Sequence, residues 1–155
     1  MHDSKIINLR QALAKFATGV AIVSTIDNLG NPVGMTVNSF SSVSLNPPLV
    51  LWSIGNNQPS FDIFKNAVGY SVNILSKDQK DLCQLFSSPL ENKFEKIDFS
   101  LSKNGFPIIN KSLAWLDCLK WKNYPGGDHK ILVGEVKSFH IDNNDPLIFW
   151  NGSLV

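Results

Sequence analysis

The sequence has no long apolar run and almost no net charge. No stretch approaches the roughly 20 apolar residues that a membrane-spanning helix needs, so we expect no membrane partner. The 14 basic and 13 acidic residues leave a formal net charge of +1, which gives no bulk attraction to nucleic acid or to an anionic membrane. The polar N-terminus lacks an apolar secretory segment, and a cytoplasmic protein is therefore expected.

Cysteine and histidine are also scarce. Cys83 and Cys118 form no CxxC pair, and we interpret them as reduced, buried thiols, with a redox role as the alternative. The three histidines, His2, His129 and His140, are too scattered to indicate a metal site, and no metal is expected. Because glycine-rich nucleotide loops, HExxH and GxSxG are absent, a metalloenzyme or an α/β-hydrolase is poorly supported.

Apolar residues make up 43% of the chain, and their spacing predicts a mainly β fold with short helices. Residues 1–155 are expected to form one domain, because no repeat or linker divides them. Ile6–Phe16 carries apolar residues at helical spacing and predicts an amphipathic helix that ends at Gly19. β-Branched or alternating apolar runs predict strands at 20–26, from 33, and at 49–54, 70–75, 113–121, 130–141 and 146–150.

Turn residues connect most of these strands. Asp27–Pro32 carries the glycine and asparagine typical of turns, and Gly126-Gly127 predicts a hairpin between the two longest strands. Ser76 and Gln79 have capping-box spacing for a short helix. Residues 87–111 are weakly patterned and are expected to hold loops with short extended pieces. Since few strands are separated by a crossover helix, we expect an antiparallel barrel with helices packed outside it.

The segment Gly34–Pro48 is unusually rich in hydroxyl and amide side chains. They belong to Thr36, Asn38, Ser39, Ser41, Ser42 and Ser44. Such groups can hydrogen-bond the edge of a planar heterocycle or a phosphate without adding charge. Gly34 would let the backbone come close to a flat ring. The alternative is a serine-rich turn that satisfies its own backbone.

Other candidate ligand contacts lie outside this segment. Ser53 sits inside an apolar strand, where its hydroxyl needs a partner. Ser60 begins a short helix, where it could favour a phosphate or act as a simple N-cap. Asp128 and His129 follow two glycines at the hairpin tip, where the imidazole could stack on a nicotinamide or transfer a proton; a solvated turn is the alternative. Lys93 is explained adequately as a surface lysine beside a packed aromatic.

These segments together resemble the flavin reductase-like family with the FMN-binding split β-barrel fold. In particular, the chain resembles the small reductase components of two-component flavin-dependent monooxygenases. The resemblance extends from about Leu9 to Phe149, and the segment Gly34–Val50 is its most specific part. The last residues, 150–155, lack the basic aromatic tail of many relatives, which leaves the C-terminal contribution to the pocket open.

The resemblance implies a homodimer with one flavin per subunit, FMN or FAD, near the dimer interface. Its implied cofactor-binding residues are Thr36, Asn38, Ser39, Ser41, Ser42, Ser53, Ser60, Phe86, Lys93, Phe94 and Asp128. Residues 36–39 would lie along the isoalloxazine, and Ser42, Ser53 and Ser60 would serve the ribityl-phosphate end. The segment from Phe86 to Phe94 would border the flavin. His129, the implied catalytic residue, would face the nicotinamide.

The expected activity is that of an NAD(P)H:flavin oxidoreductase. Hydride would pass from NADH or NADPH to FMN (or FAD), and the reduced flavin would go to a partner monooxygenase. Two alternatives remain open, namely a flavin-binding electron carrier with little nicotinamide turnover, and a split-barrel binding module for haem or another ligand. The residues do not distinguish FMN from FAD or NADH from NADPH.

Overall fold

The computed structural model describes residues 2–155 and contains three α-helices and twelve strands in that range. The helices are α1 (His2–Leu13), α2 (Phe61–Asn66) and α3 (Lys80–Ser87), with 3₁₀ turns at Lys77–Gln79 and Lys93–Lys96. The strands are β1 (Thr18–Gly19), β2 (Ala21–Ile26), β3 (Pro32–Val37), β4 (Ser41–Leu45), β5 (Pro48–Gly55), β6 (Gly69–Ile74), β7 (Phe99–Leu101), β8 (Pro107–Ile109), β9 (Ala114–Gly126), β10 (His129–Ile141), β11 (Ile148–Trp150) and β12 (Ser153–Leu154).

Seven strands form one antiparallel sheet in the order β3-β2-β6-β9-β10-β5-β4. Its inner face surrounds Trp52, which is fully buried and meets Phe64 and Tyr70 edge to face at centroid separations of 5.0 and 5.8 Å. The same apolar cluster contains Val37 of β3 and Val50 of β5, although these strands lie toward opposite ends of the sheet. The sheet therefore curls around its core, and the expected antiparallel barrel is confirmed.

A seam runs between the two ends of this sheet. Strands β3 and β4 occupy the two edges, and the chain crosses from one to the other through residues 38–40. Pairing between β3 and β4 is not found among residues 2–155, so the barrel is open there. The segment with the most hydroxyl groups in the sequence consequently lies along the opening of the barrel.

A second apolar cluster covers the outer face of β2. It joins Ile22 of that strand to Leu75, to Phe86 of α3 and to Phe94 of the following 3₁₀ turn, all of them buried. The predicted capping box, in which Ser76 and the side chain of Gln79 hydrogen-bond each other's backbone, begins the segment that leads into α3. This packing fixes α3 against the outer surface of β3.

The final residues form a small sheet with the start of the barrel. Its strand order is β1-β11-β12, with Phe149 paired to Thr18 on one side and to Leu154 on the other. The Asn151 N–H donates to the Ala14 carbonyl at 2.9 Å, which ties this hairpin to the segment after α1. Sequence reasoning predicted β11 but not β12, whose two residues are too few to show a pattern.

Helix α1 differs from the expectation in its end and in its surroundings. It ends at Leu13, and Gly19 lies in strand β1, so the prediction that Gly19 ends the helix is wrong. The apolar face is present, yet Leu9, Leu13 and Phe16 are 57%, 65% and 80% exposed. The helical spacing therefore predicted the conformation of this segment, whereas its apolar side chains are exposed among residues 2–155.

Both cysteines are free and buried. Burial raises the pKa of Cys118 to about 12 and also raises the pKa of the Cys83 thiol. A thiol with a raised pKa is a poor nucleophile, which disfavours the redox alternative. Within residues 2–155, no helix is long and apolar enough to span a membrane, and no group of His, Cys, Asp and Glu side chains is placed to hold a metal ion.

Candidate functional site

A cavity of about 510 Å³ lies beside the end of strand β3. Four parts of the chain line it: Val20 between β1 and β2, residues 36–38 at the end of β3, residues 83–88 of α3 and its C-terminus, and Phe149 with Leu154 of the β11–β12 hairpin. Two implied cofactor residues, Thr36 and Asn38, therefore line a real cavity. The sequence placed these residues next to one another, but only the fold brings α3 and the hairpin to them.

The hydroxyl groups around this cavity are engaged with the end of α3. Thr36 Oγ1 and Ser87 Oγ both donate to the Cys83 carbonyl, at 2.8 and 2.7 Å, and Ser88 Oγ donates to the Leu85 carbonyl at 2.6 Å. These bonds give the Leu85 carbonyl in the last turn of α3 a side-chain partner, and they join the Cys83 carbonyl one turn earlier to the end of β3. The hydroxyl oxygens can still accept a hydrogen bond from a ligand, but their hydrogens are already used.

Two amide side chains at the cavity are differently placed. Asn38 and Gln84 are exposed and line the cavity, and neither side chain has a hydrogen-bond partner among residues 2–155. Each amide offers both a donor and an acceptor. The cavity thus presents neutral groups suited to the edge of a heterocycle, without a charged residue on its walls.

The crossover 38–40 is fastened to β5 by one side chain. Ser39 Oγ donates to the Ser53 carbonyl at 3.0 Å and accepts from the Ser53 N–H at 3.1 Å. Ser39 therefore bonds the backbone of Ser53 and not its side chain. The half-buried Ser53 hydroxyl, for which a partner was predicted, has no hydrogen-bond partner in the described range. Ser39 thus fixes the crossover to β5 next to Asn38, which lines the cavity.

His129 lies on the same face of the sheet as Ser53. In the register of β5 and β10, Ser53 is opposite Ile131 and Gly55 is opposite His129. The two residue pairs are therefore about 7 Å apart along the strands. A Cβ at Gly55 would be 3.7 Å from His129 Nε2, which shows that the imidazole lies over the backbone of that glycine. Sequence reasoning predicted the hairpin that carries His129, but not this pairing with β5.

The Asp128 carboxylate holds the other nitrogen of the imidazole. His129 Nδ1 and Asp128 Oδ1 are 2.7 Å apart, and this hydrogen bond lowers the pKa of Asp128. A neutral imidazole that donates through Nδ1 leaves the Nε2 lone pair free. The exposed ring is thereby oriented at the surface, with Nε2 toward Gly55.

The remaining serines occupy separate places. Ser41 Oγ donates to the Ser42 carbonyl at 3.0 Å, which is the local backbone contact expected of a serine-rich turn. Ser42 is exposed on edge strand β4, opposite Val50. Ser60 occupies the N-cap position of α2 without a cap hydrogen bond, and its hydroxyl donates instead to Met35 Sδ at 3.7 Å. These three side chains are not brought to the 510 Å³ cavity.

Phe86 and Phe94 are buried rather than exposed at a ligand surface. They are 2% and 5% exposed, and their rings meet edge to face at 5.0 Å. A Cβ at Gly34 would be 2.9 Å from Phe86 Cε1 and 3.1 Å from Phe94 Cε2, so the flat rings that approach this glycine belong to the protein itself. Lys93 Nζ lies 3.4 Å from the Phe86 carbonyl, and burial lowers its pKa.

Comparison with known proteins decides the family. Residues 13–155 match the family described as Flavin reductase like domain. The chain belongs to the flavin reductase-like family. Sequence reasoning did not find the other lining residues of this flavin reductase-like domain, and among them Gln84, Phe149 and Leu154 carry no local signal, because they are an exposed glutamine on a helix and two apolar residues of a distant hairpin.

Three relatives illustrate the similarity. The chain is 39% identical over 136 residues to the reductase component of flavin-dependent trigonelline monooxygenase from Acinetobacter baylyi, covering 88% of this chain and 44% of that protein. It superposes with a TM-score of 0.95 and 34% identity on nitrilotriacetate monooxygenase component B from Mycobacterium thermoresistibile, covering 100% of this chain and 88% of the other. The third is Streptomyces globisporus NADH:FAD oxidoreductase SgcE6 in complex with NAD and FAD fragments, with a TM-score of 0.92, 31% identity, and 98% and 92% coverage.

The flavin reductase fold predicted from the sequence is confirmed by these superpositions. The chain spans about half the length of the first curated relatives that it matches, between 42% and 57%. Family and fold are thus shown over nearly the whole chain.

Proposed function

We propose that this domain is an NAD(P)H:flavin oxidoreductase that passes hydride from NADH or NADPH to FMN or FAD and supplies reduced flavin to a partner monooxygenase. The observation that carries the proposal is the cavity at the end of β3, where the amides of Asn38 and Gln84, which have no hydrogen-bond partner among residues 2–155, adjoin an apolar wall. A flavin ring has a polar edge and an apolar edge, and this cavity offers matching groups without charge. Family membership and the names of the relatives support the same reaction.

The reaction asks the protein mainly for geometry. The flavin, when bound, supplies the hydride-accepting chemistry, and the chain supplies binding and orientation. Asn38 and Ser53 present neutral polar groups near the seam, where fixed donors can stabilise the charge that develops on the acceptor. Ser39 holds the crossover that carries Asn38, so it positions this site without needing to touch the ligand.

His129 is proposed to hold the nicotinamide rather than to move a proton. Its imidazole is oriented by Asp128 and lies on the face that Ser53 shares, close to where the crossover meets β5. Replacing His129 with alanine should slow flavin reduction by about tenfold, because a donor and acceptor held less well react more slowly. Stopped-flow reduction by NADH and NADPH measures this rate, while flavin Kd should stay within a factor of about two.

His140→Ala is the matched control, since His140 lies on the same strand and stacks on Trp115 at 6.1 Å, away from the His129 pairing. A His129→Ala variant with the wild-type reduction rate would contradict the proposal that His129 holds the nicotinamide.

Ser42 is proposed to serve the phosphate end of the flavin. It is exposed on edge strand β4, opposite Val50 of β5. Ser42→Glu should weaken FMN binding by about fivefold, because two like charges about 4 Å apart in water repel by about 1 kcal/mol. The loss should shrink as salt is added, since screening reduces this repulsion.

Fluorescence titration of FMN at low and high salt checks the Ser42 prediction. Ser100→Glu, on the exposed face of β7, introduces the same charge elsewhere and should leave the affinity unchanged. Equal Kd values for Ser42→Glu and the wild type would place the phosphate away from β4.

We also propose a homodimer. Exposed apolar side chains on α1 and the segment after it (Leu13 and Phe16) and on the long hairpin (Trp121 and Phe139) need a covering surface, and a second copy would supply one. Sedimentation velocity should give about twice the chain mass, and a monomer at micromolar concentration would contradict the proposal.

The activity assay tests the central proposal. The purified protein, which we propose to be a single domain over residues 1–155, should oxidise NADH or NADPH in the presence of FMN or FAD far faster than flavin alone does. Tightly held flavin with negligible nicotinamide oxidation would favour the electron carrier instead. A haem absorbance band in place of flavin absorbance would support the third alternative.

A further inference from the structure

The cavity beside β3 has one wall that the implied flavin residues do not include. Phe149 and Leu154 are cross-strand partners on β11 and β12, and both line the cavity. The hairpin that carries them is held in place by mutual backbone hydrogen bonds between Ile148 and Val155 and by pairing of Phe149 with Thr18. The wall is therefore an ordered apolar surface built from residues more than 100 positions away from Thr36.

Gln84 stands on a different wall from this hairpin. Its α3 neighbours Ser87 and Cys83 are joined to each other and to Thr36 through the Cys83 carbonyl, so the helix is fixed against the end of β3. The Gln84 amide has no hydrogen-bond partner among residues 2–155 and lines the cavity together with Asn38. Two free amides on adjoining walls can supply donors and acceptors in alternation.

We propose that Gln84 and the β11–β12 hairpin position the flavin ring. Phe149 and Leu154 pack against its apolar methyl-bearing ring, while the Gln84 and Asn38 amides bind its pyrimidine edge. That edge carries an N–H between two carbonyl oxygens, which matches amides that both donate and accept. The inference rests on the proposed function, because it specifies how the same cavity holds its flavin.

The first arm of the test fills the apolar side of the cavity. Leu154→Trp adds bulk where the ring would lie and should weaken FMN binding by about tenfold or more, measured by fluorescence titration. Val155→Trp is the matched control, because Val155 is the next residue, is 58% exposed and does not line the cavity. The unfolding temperature of each variant without flavin shows whether the hairpin itself is damaged.

The second arm changes the charge at an exposed position, where folding is not at risk. Gln84→Glu removes the amide N–H donor. It also places a negative charge at the pyrimidine edge of the flavin, which gains electron density when the flavin is reduced. Reduced FMN should therefore lose about tenfold more affinity than oxidised FMN, equivalent to lowering the two-electron potential of bound flavin by about 30 mV. Gln11→Glu, on exposed helix α1, makes the same substitution outside the cavity and should leave the potential unchanged.

The outcomes separate this inference from the proposed function. If the wild type neither binds flavin nor oxidises NAD(P)H, the proposed function fails. If the wild type does both while Leu154→Trp and Gln84→Glu match their controls in Kd and in potential, the placement of the ring is overturned and the function stands. A loss of flavin affinity in Leu154→Trp together with the lowered potential in Gln84→Glu supports the placement.

Discussion

Replacing Gly34 with valine should lower the free energy of unfolding by about 3 kcal/mol and the unfolding temperature by about 10 °C. A Cβ at this position already comes within 2.9 Å of Phe86 Cε1 and 3.1 Å of Phe94 Cε2, and valine adds two methyl groups beyond it. The rings cannot move aside easily, because both are buried and Phe94 also meets Phe99 at 5.0 Å.

The same substitution should weaken flavin binding. Gly34 lies two residues before Thr36, whose hydroxyl ties β3 to α3 through the Cys83 carbonyl. Relief of the clash requires β3 and the Phe86 ring of α3 to separate, which opens the cavity between them. We expect FMN affinity measured well below the unfolding temperature to fall by about tenfold, a loss of about 1.4 kcal/mol.

Gly19→Val is the control for Gly34→Val. Gly19 also lies in a strand, but nothing comes within 4 Å of a Cβ placed there. Thermal and urea unfolding of both variants measures the difference. A Gly34→Val protein as stable as Gly19→Val would show that the Phe86 and Phe94 rings are not locked against β3.

Most of the barrel could be predicted because its strands bury apolar residues. Pro48–Gly55 alternates between buried and less buried positions, whereas Ala21–Ile26 is an apolar run buried on both faces. Strand β4 could not be found in this way, since Ser41, Ser42 and Val43 are all exposed at the sheet edge and nothing in their order marks a buried face. It exists because β5 offers it backbone partners.

At the site, too, residues within one segment could be predicted, whereas contacts between distant segments could not. Thr36 and Asn38 were predicted from one segment, and the structure places both at a cavity. Phe86 and Phe94 were assigned by position in the family, yet here they pack beneath Gly34 and support β3 from the outer side. Their contact with flavin stays a prediction, and their burial shows a structural role that composition alone does not reveal.

The walls of the cavity depend on contacts between distant segments. Gln84 is a polar residue on a helix, and such residues usually face solvent, so its sequence position has no distinguishing mark. The pairing of Phe149 with Thr18 brings the hairpin to the cavity across more than 100 residues. Such a contact is determined by the topology of the whole chain rather than by any local spacing.

Ser39→Ala is expected to have the second large effect, and it tests how the seam supports the site. The hydroxyl of Ser39 bonds both the carbonyl and the N–H of Ser53, and alanine leaves these two half-buried backbone groups without that partner. Loss of a partner from such groups costs about 1–3 kcal/mol. The free energy of unfolding should fall by that amount in urea titrations.

The binding consequence follows from the position of Ser39 in the crossover. Asn38 is the adjacent residue and lines the cavity, so loosening residues 38–40 allows its amide to move away from the ligand edge. FMN affinity should fall by about tenfold, since a less ordered contact residue must be immobilised on binding. The reduction rate at saturating flavin should also fall, because a mobile Asn38 orients the acceptor less well.

Ser41→Ala separates this effect from a general loss of hydroxyl groups. Ser41 belongs to the same segment and is exposed, but its hydroxyl bonds only the Ser42 carbonyl next to it. Its stability and FMN affinity should remain close to those of the wild type. If Ser39→Ala and Ser41→Ala had the same stability and FMN affinity, the two hydrogen bonds to Ser53 would not be what holds Asn38 at the cavity. The contribution of the seam to flavin binding would then have to come from the backbone of residues 38–40 alone.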